Sequence, residues 1–144
     1  MNIRFFKPSD AKQVVNLANR YASFDSDINE EFFDSASSFP RGLLVAEDDE
    51  RIVGFVFAYI RDVPSDVLNR WAATKAAQIE LLAVDPSHRS HGIGSALLDR
   101  LLEILREEGA DLVILHCPVE AREAKRLYDK LGFEVRAYAM KKRL

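Results

Sequence analysis

One stretch of the chain decides the fold: an apolar strand that leads through a glycine-containing loop directly into a helix. Residues 82–96 read Leu82-Ala83-Val84-Asp85-Pro86-Ser87-His88-Arg89-Ser90-His91-Gly92-Ile93-Gly94-Ser95-Ala96. A helix that begins after such a loop presents unpaired backbone N–H groups and a partial positive charge, which suit a phosphate or pyrophosphate. Glycines at positions 92 and 94 let the backbone approach a ligand closely and adopt positive φ angles. The stretch predicts an anion-binding turn, and a plain strand-to-helix turn with two glycines is the alternative.

Two familiar phosphate-binding motifs do not fit this loop. The P-loop ends in Gly-Lys-Ser/Thr, whereas Gly94 is followed by Ser95 and Ala96. The dinucleotide fingerprint requires a third glycine where Leu97 stands, and a place beside the first strand of a βαβ unit. Both motifs are therefore disfavoured.

Hydrophobic periodicity predicts an α/β fold around the loop. The front half is predicted to contain a strand at 3–6, a helix capped at Ser9 or Asp10 that ends near Tyr21, a helix at 29–37, strands at 42–47 and 52–61, and a loop at 62–76. The rear half is predicted to contain a strand at 77–84, a leucine-rich helix at 93–108, a strand at 112–117, a helix at 120–131, and strands at 133–136 and 138–141. The leucine-rich crossover makes the strands at 77–84 and 112–117 parallel, and the apolar composition of the second suggests burial on both faces.

Length and composition exclude several classes of protein. The 144 residues are 48% hydrophobic, so residues 1–144 are predicted to form a single domain with a core. The net charge of −3 argues against a nucleic-acid binder, although bases concentrate in residues 121–144. The one cysteine, Cys117, excludes an internal disulfide, and no Cys/His cluster has zinc-ligand spacing. With no signal-peptide pattern and no long apolar run, we expect a cytoplasmic protein without a membrane or metal partner.

Two motifs, in order along the chain, resemble the GNAT superfamily of N-acetyltransferases. The acetyl-CoA loop of that family, Arg or Gln, two residues, Gly, any residue, Gly, is similar to residues 89–94, and its Ala-x-x-Leu-Tyr-x-x-x-Gly-Phe motif is similar to residues 124–133. The resemblance implies a mixed central sheet flanked by helices, in which parallel fourth and fifth strands splay apart to admit acetyl-CoA. Ala121 departs from the family, which often has asparagine there. The short last hairpin leaves room for a second subunit, as in a homodimer, to complete the cofactor-distal wall.

The resemblance also implies roles for particular residues. Tyr128 is the expected general acid, and a backbone N–H of the strand before the loop is expected to steady the thioester oxygen as it becomes an oxyanion. The pyrophosphate of acetyl-CoA is expected on backbone N–H groups of the loop, and the pantetheine arm along the strand edge. The expected cofactor-binding residues are Leu82, Ala83, Val84, Arg89, Ser90, His91, Gly92, Ile93, Gly94, Ser95 and Tyr128.

Glu80 and His116 interrupt otherwise apolar strands and are candidates for the general base. A lysine-like amine, with a pKa of about 10.4, is mostly protonated at neutral pH, so a base is useful. Titratable groups are rarely fully buried without a partner, so we expect both to face the opening between the splayed strands. A satisfied structural polar group is the alternative for each. His88 and His91 are expected to face solvent, and Cys117 to lie in the core.

These observations predict direct transfer of an acetyl group from acetyl-CoA to a primary amine of a small molecule or peptide. A non-catalytic acyl-CoA-sensing or partner-binding domain on the same fold is the alternative. The segment 24–34 carries five acids and no base, which would attract a cationic acceptor beside Phe24, Phe32 or Trp71. A solvated helix surface explains the same acids, so the identity of the acceptor stays open.

Overall fold

A five-stranded sheet forms the centre of the protein, which we describe from a computed structural model covering residues 1–22 and 25–144, with backbone only at 35 and 37. The strands lie in sequence order: β1 (Asn2–Phe5), β2 (Leu43–Asp48), β3 (Arg51–Ile60), β4 (Ala76–Val84) and β5 (Leu112–Leu115). The first four pair antiparallel, and β4 and β5 pair parallel. The predicted mixed α/β sheet with its parallel pair is therefore confirmed.

Helices cover both faces of this sheet. They are α1 (Ala11–Tyr21), a 3₁₀ helix (Glu30–Ser38), α3 (Ile93–Glu107) and α4 (Arg122–Lys130). A short helix without buried residues, α2 (Ser65–Arg70), lies between β3 and β4 in the chain. The leucine stripe of α3 packs on one face together with Tyr128 of α4. The apolar side of α1 and Phe33 of the 3₁₀ helix pack on the other. Among the described residues, no helix combines the length and the apolar composition that crossing a membrane requires.

The strands β4 and β5 separate along their length. Ala76–Ile79 pairs with Leu112–Leu115, after which β5 ends while β4 continues to Val84. On its other edge β4 stays paired with β3 as far as Val84, opposite Gly54. Residues 80–84 of β4 therefore present an edge that no described strand covers, and this is the predicted splay.

A buried ion pair fixes the start of α1. Asp10 is only 4% exposed, and its carboxylate accepts two hydrogen bonds from the Arg4 guanidinium, at 2.8 and 3.0 Å, and one from the Lys7 N–H. The Nε of Arg4 donates to Glu47 at 2.7 Å. Burial alone would raise the pKa of Asp10, but these hydrogen bonds hold it below its usual value. The predicted cap is therefore wrong in detail, because Asp10 faces Arg4 and Lys7 instead of α1.

Several predicted elements differ from the structure. The helix expected at 29–37 is a 3₁₀ helix, and the loop expected at 62–76 contains α2. The strand expected at 112–117 ends at Leu115 and is only partly buried, and no strand among the described residues pairs with its outer edge. Asn29, whose side chain accepts from the Glu31 N–H, caps the 3₁₀ helix at its expected start.

The two strands expected at 133–136 and 138–141 do not form. After α4, residues 134–144 are exposed and carry no regular structure. The prediction left only Ala137 between the strands, whereas the shortest common hairpin loops have two residues of the Asn-Gly type. No Gly, Pro, Asn or Asp occurs between residues 133 and 144, so this segment has no residues suited to a tight turn.

Candidate active site

A cavity of about 90 Å³ opens where β4 and β5 separate. Its walls come from the end of α1, the middle of β4, the residues that follow β5, and α4. Tyr128, Glu80 and His116 all line it. The structure thus brings the three predicted catalytic residues to one place, although they lie far apart in the sequence.

Tyr128 stands on α4 with its ring in the core. The side chain is 8% exposed, and its ring packs edge-to-face on Phe133 with 5.6 Å between the ring centres. Burial raises the pKa of Tyr128 to about 12. The hydroxyl is therefore protonated throughout the neutral range and can donate a hydrogen bond.

Glu80 lies at a β-bulge between β3 and β4. Phe57 pairs with Leu81 and Ala58 pairs with Ile79, so Glu80 is an extra residue with no partner on β3. Bulges of this kind bend a strand and re-aim a side chain, and they are frequent beside active sites. The Glu80 carboxylate is half-buried and accepts a hydrogen bond from Gln78 Nε2 at 3.1 Å. The sequence indicates Glu80 as a site candidate because it is an acid within an apolar run. The bulge itself is not visible in the sequence pattern.

His116 lies one residue beyond the end of β5 and is exposed. It reaches the cavity from the end of β5, whereas Glu80 reaches it from within β4. Cys117, beside it, is half-buried with its Sγ 3.6 Å from the Pro118 carbonyl oxygen. Burial raises the pKa of the Cys117 thiol, so little thiolate forms near neutral pH.

A second cavity, of about 290 Å³, lies on the other side of Glu80. Aromatic side chains dominate its lining, which comprises Phe32, Ser38, Phe57, Tyr59, Ile60 and Glu80. Burial, and secondly the Glu80 carboxylate, raise the pKa of the Tyr59 hydroxyl. Phe57 and Tyr59 are not predicted as site residues, because alternating aromatic residues in β3 are typical of ordinary core positions. Glu80 is the residue that the two cavities share.

The loop before α3 has the predicted positive φ at one of its two glycines, Gly92. Ser90 and Gly92 adopt positive φ angles of 68° and 76°. Ala96 donates the first hydrogen bond of α3, to the Gly92 carbonyl at 2.9 Å, which leaves the N–H groups of residues 93–95 facing out of the helix start. The predicted positive φ at Gly94 is wrong, and a Cβ there would lie 3.2 Å from Leu127 Cδ2. Gly94 lets α4 pack closely on α3.

The other predicted cofactor residues differ in what they can offer a ligand. Arg89 is exposed, and its Nε donates to the Val84 carbonyl at 3.1 Å, which ties the loop to the end of β4. Ile93 is 4% exposed and packs in the core, so only its backbone is available. Leu82 lines the first cavity, whereas Ala83 is buried. His91 is exposed, as predicted. Ser90 is also exposed, and Ser95 is half-buried. His88 is half-buried, 3.5 Å from Asp48.

Of the aromatic residues proposed to contact a cationic acceptor, Phe32 lines a cavity, whereas Trp71 already contacts other residues of the chain. Phe32 lines the second cavity, and Phe24 falls outside the described residues. Trp71 already contacts two cations of the chain, because the guanidinium carbons of Arg61 and Arg136 lie 5.6 and 5.0 Å from its ring centre. The neighbouring acids Asp25, Asp27, Glu30 and Glu31 are exposed. Over residues 1–22 and 25–144, no group of three or more His, Cys, Asp or Glu side chains could hold a metal ion.

Comparison with known proteins assigns this fold and site to a family. The model of the acetyltransferase (GNAT) family matches residues 11–133. The chain therefore belongs to the GNAT family of acetyltransferases, and the resemblance seen in its sequence is confirmed.

Three relatives illustrate the likeness. A mycothiol acetyltransferase from Brachybacterium faecium is 37% identical over 93 residues, which is 65% of this chain and 26% of that protein. An L-2,4-diaminobutyric acid acetyltransferase from Nocardia farcinica is 30% identical over 100 residues, 69% of this chain and 47% of that protein. The crystal structure of Ard1 from Thermoplasma volcanium superimposes with a TM-score of 0.77 at 29% identity, covering 94% of this chain and 84% of that one. The chain thus spans between a quarter and a half of the length of these two curated relatives.

Proposed function

We propose that this protein transfers the acetyl group of acetyl-CoA directly to a primary amine of a small molecule or peptide. The observation that carries the proposal is the cavity between β4 and β5, where Tyr128, Glu80 and His116 meet at an open strand edge. Membership of the GNAT family supports it, as does the name of a relative that acetylates an amino acid with a second amine. The cysteine usage of the chain favours a cytoplasmic location.

Two backbone features suit acetyl-CoA. The edge of β4 at residues 80–84 offers N–H and C=O groups to the amides of the pantetheine arm, as an added strand would use them. The start of α3, with Ser90 and Gly92 in left-handed conformations, offers N–H groups to the pyrophosphate. The two features adjoin because the loop joins the end of β4 to α3. Acetyl-CoA in this position would bring its thioester to the cavity that Tyr128 lines.

The residues around that cavity can supply each step of amine acetylation. The amine nitrogen attacks the thioester carbon, so that a C–N bond forms and the C–S bond then breaks. Glu80 or His116 accepts the proton that the amine loses, Glu80 either directly or through a water molecule. A backbone N–H of β4 stabilises the oxygen of the tetrahedral intermediate. Tyr128 donates a hydrogen bond to the departing sulfur.

The pKa of Tyr128 limits how far its proton moves. The value of about 12 lies well above the pKa of about 8.5 for an ordinary thiol. Complete transfer to a thiolate that kept its ordinary pKa would cost about 5 kcal/mol at equilibrium. We therefore assign Tyr128 the role of a hydrogen-bond donor that stabilises charge on sulfur, with final protonation of the thiolate left to the solvent.

A covalent route through Cys117 is disfavoured. Burial raises the pKa of its thiol, whereas a nucleophilic cysteine needs a lowered one. Its Sγ lies 3.6 and 3.8 Å from the carbonyl oxygens of Pro118 and Ala121, which favour the protonated thiol. Direct transfer is the route that fits these surroundings.

The acceptor amine is proposed to enter through the second cavity. Its aromatic lining suits an apolar group next to the amine, and Glu80 at the boundary of the two cavities suits the ammonium. This favours an amine with an apolar neighbour, such as a peptide N-terminus with a hydrophobic first residue. A cationic acceptor attracted by the exposed acids of the segment 25–34 is the second candidate.

The test is a thiol-release assay with acetyl-CoA and a panel of amines, together with melting temperatures measured with acetyl-CoA. Ligand at 100 times its Kd stabilises a protein by about 2.7 kcal/mol. For this chain that corresponds to a rise in melting temperature of about 9 °C. We expect faster thiol release with peptides that begin with apolar residues than with polyamines. A melting shift without thiol release for any amine would support the non-catalytic alternative, and no shift at millimolar acetyl-CoA would overturn the proposal.

A further inference from the structure

Gln78 is a buried residue of β4 that the chemistry proposed above does not use. Among the described residues, the only buried side chains with a carboxylate or amide group are Asp10 and Gln78. A buried polar group requires a hydrogen-bond partner, and Asp10 has Arg4 and Lys7. The Nε2 of Gln78 donates to the Glu80 carboxylate at 3.1 Å. Gln78 lines neither of the two cavities, so its side chain reaches the site through Glu80.

The hydrogen bond shows on which face of the sheet Glu80 lies. Ile79, just before the bulge, packs on the face of α3, whereas Leu81, just after it, packs on the face of α1. Because side chains of a strand alternate, counting from Ile79 puts Glu80 on the face of α1, and counting from Leu81 puts it on the face of α3. Residues two apart in a strand share a face, so contact with Gln78 is contact on the face of α1. Gln78 thus keeps the acid out of the leucine-rich core.

Tyr59 lies beside the same carboxylate. It pairs with Gln78 across β3 and β4, and it lines the second cavity together with Glu80. Burial, and secondly the Glu80 carboxylate, raise the pKa of the Tyr59 hydroxyl, which is therefore uncharged near neutral pH. The other charged or titratable groups around the two cavities are Tyr21 of α1, Arg61 after β3, His116 and Cys117 after β5, and Tyr128 of α4.

We infer that Gln78 is a positioning residue for the proposed acetyl transfer, holding the Glu80 carboxylate ionised at the boundary of the two cavities, where it accepts the proton of the amine. The inference rests on the proposed function and selects Glu80 over His116 as the base. A hydrogen-bond donor stabilises the ionised form of a carboxylate, and only that form can accept a proton. Loss of the donor should therefore reduce activity from the acid side of the pH range.

Gln78→Met tests this role, because it removes the amide and keeps an unbranched side chain of similar size. We expect the acid limb of the profile of kcat/KM against pH to move up by about one pH unit, with about a 10-fold loss of kcat/KM on that limb. The Kd for acetyl-CoA should stay within twofold, since Gln78 lines neither cavity. The matched control is Gln13→Met, the same chemical change at a glutamine whose Oε1 accepts from the Ile52 N–H, and it should keep the wild-type profile.

A double-mutant cycle shows whether Gln78 acts through Glu80. In a Glu80→Gln background, Gln78→Met should change kcat/KM by less than twofold, whereas in a His116→Ala background it should keep its whole effect. Gln78→Asn retains an amide that is one methylene too short to reach the carboxylate, and it should shift the acid limb in the same direction. An acid limb that stays in place in both Gln78 variants overturns the inference. So does an equally large effect of Gln78→Met in the Glu80→Gln background.

NMR separates this inference from the proposed function, because it needs no acceptor. The ¹³C signal of the Glu80 carboxyl group, identified by its loss in Glu80→Gln, should titrate with a midpoint about one pH unit higher in Gln78→Met than in the wild type. An unchanged midpoint overturns the positioning role, whatever the activity. A shifted midpoint in a chain that releases no thiol with any amine supports the bond from Gln78, and overturns both the proposed function and the assignment of Glu80 as its base.

Discussion

Replacing Tyr128 by phenylalanine removes one oxygen atom from the wall of the cavity. The ring that remains keeps its packing on Phe133, since the ring centres lie 5.6 Å apart and the side chain is buried. We therefore expect Tyr128→Phe to fold normally and to bind acetyl-CoA with a Kd within about twofold of the wild type. The change tests the hydroxyl alone.

The expected loss of activity follows from the charge that the hydroxyl meets. A hydrogen bond to a charged group is worth about 1.5–3 kcal/mol, which corresponds to a fall in kcat of roughly 10- to 150-fold. Because the sulfur becomes charged only as the C–S bond breaks, kcat and kcat/KM should fall by equal factors.

The raised pKa adds a second expectation. With a value of about 12, the Tyr128 hydroxyl stays protonated across the range that the assay covers. The ratio of wild-type to variant kcat should therefore be constant between about pH 6 and pH 10, far below that pKa. An ordinary tyrosine would begin to titrate at the upper end of that range.

The assay follows release of the CoA thiol, with acetyl-CoA affinity measured separately by calorimetry. Tyr138→Phe is the matched control, because it makes the same chemical change at a side chain that is 85% exposed. That variant should keep wild-type kcat. A Tyr128→Phe enzyme within twofold of the wild-type kcat, or a ratio that varies across this pH range, would refute the role assigned to the hydroxyl.

Three further predictions concern the loop, the base and the fold. Gly92→Ala should weaken acetyl-CoA binding at least fivefold in calorimetry. The control Gly109→Ala, at the other end of α3 and with a similar positive φ, should be destabilised as much as Gly92→Ala but should keep wild-type affinity for acetyl-CoA. The pH–rate profile should lose or shift a limb in Glu80→Gln or in His116→Ala, and unchanged profiles in both would exclude them as the base. Asp10→Asn should cost about 2–3 kcal/mol, or about 7–10 °C in melting temperature. The pKa of Asp10 is lower in the folded protein than in the unfolded chain, so its ionised form stabilises the fold at pH values above the pKa of the unfolded chain. This stabilisation is lost as the pH falls through the pKa of the folded protein, so the melting temperatures of wild type and variant should become equal in acid.

Local patterns in the sequence were enough to predict the sheet, the long helix and the loop before it. The leucines of α3 recur at helical spacing, and the strand–loop–helix order gave the parallel pair. The positive φ at Gly92 was also predictable, since glycine adopts it without strain. These features depend on residues close together in the chain, where periodicity and turn chemistry act.

The features that were missed depend on residues far apart. The bulge at Glu80 exists only in the register between β3 and β4, which no local pattern encodes. The close packing at Gly94 involves Leu127, which is more than thirty residues away in the sequence. The absent strands after α4 were predicted from β-forming residues alone, whereas pairing depends on the path of the chain after α4, where Arg136 lies over the Trp71 ring.

The length of β5 decides both the opening of the site and the shape of the sheet. β5 ends at Leu115, three residues before Pro118, which has no N–H to donate to a strand ladder. β4 continues to Val84, two residues before Pro86, so its last five residues face a gap. That gap is where Tyr128 and His116 reach the cavity, from α4 and from the end of β5. A strand that ran on past Leu115 would cover the edge of β4 beside Glu80, and the chemistry of the site therefore depends on β5 stopping where it does.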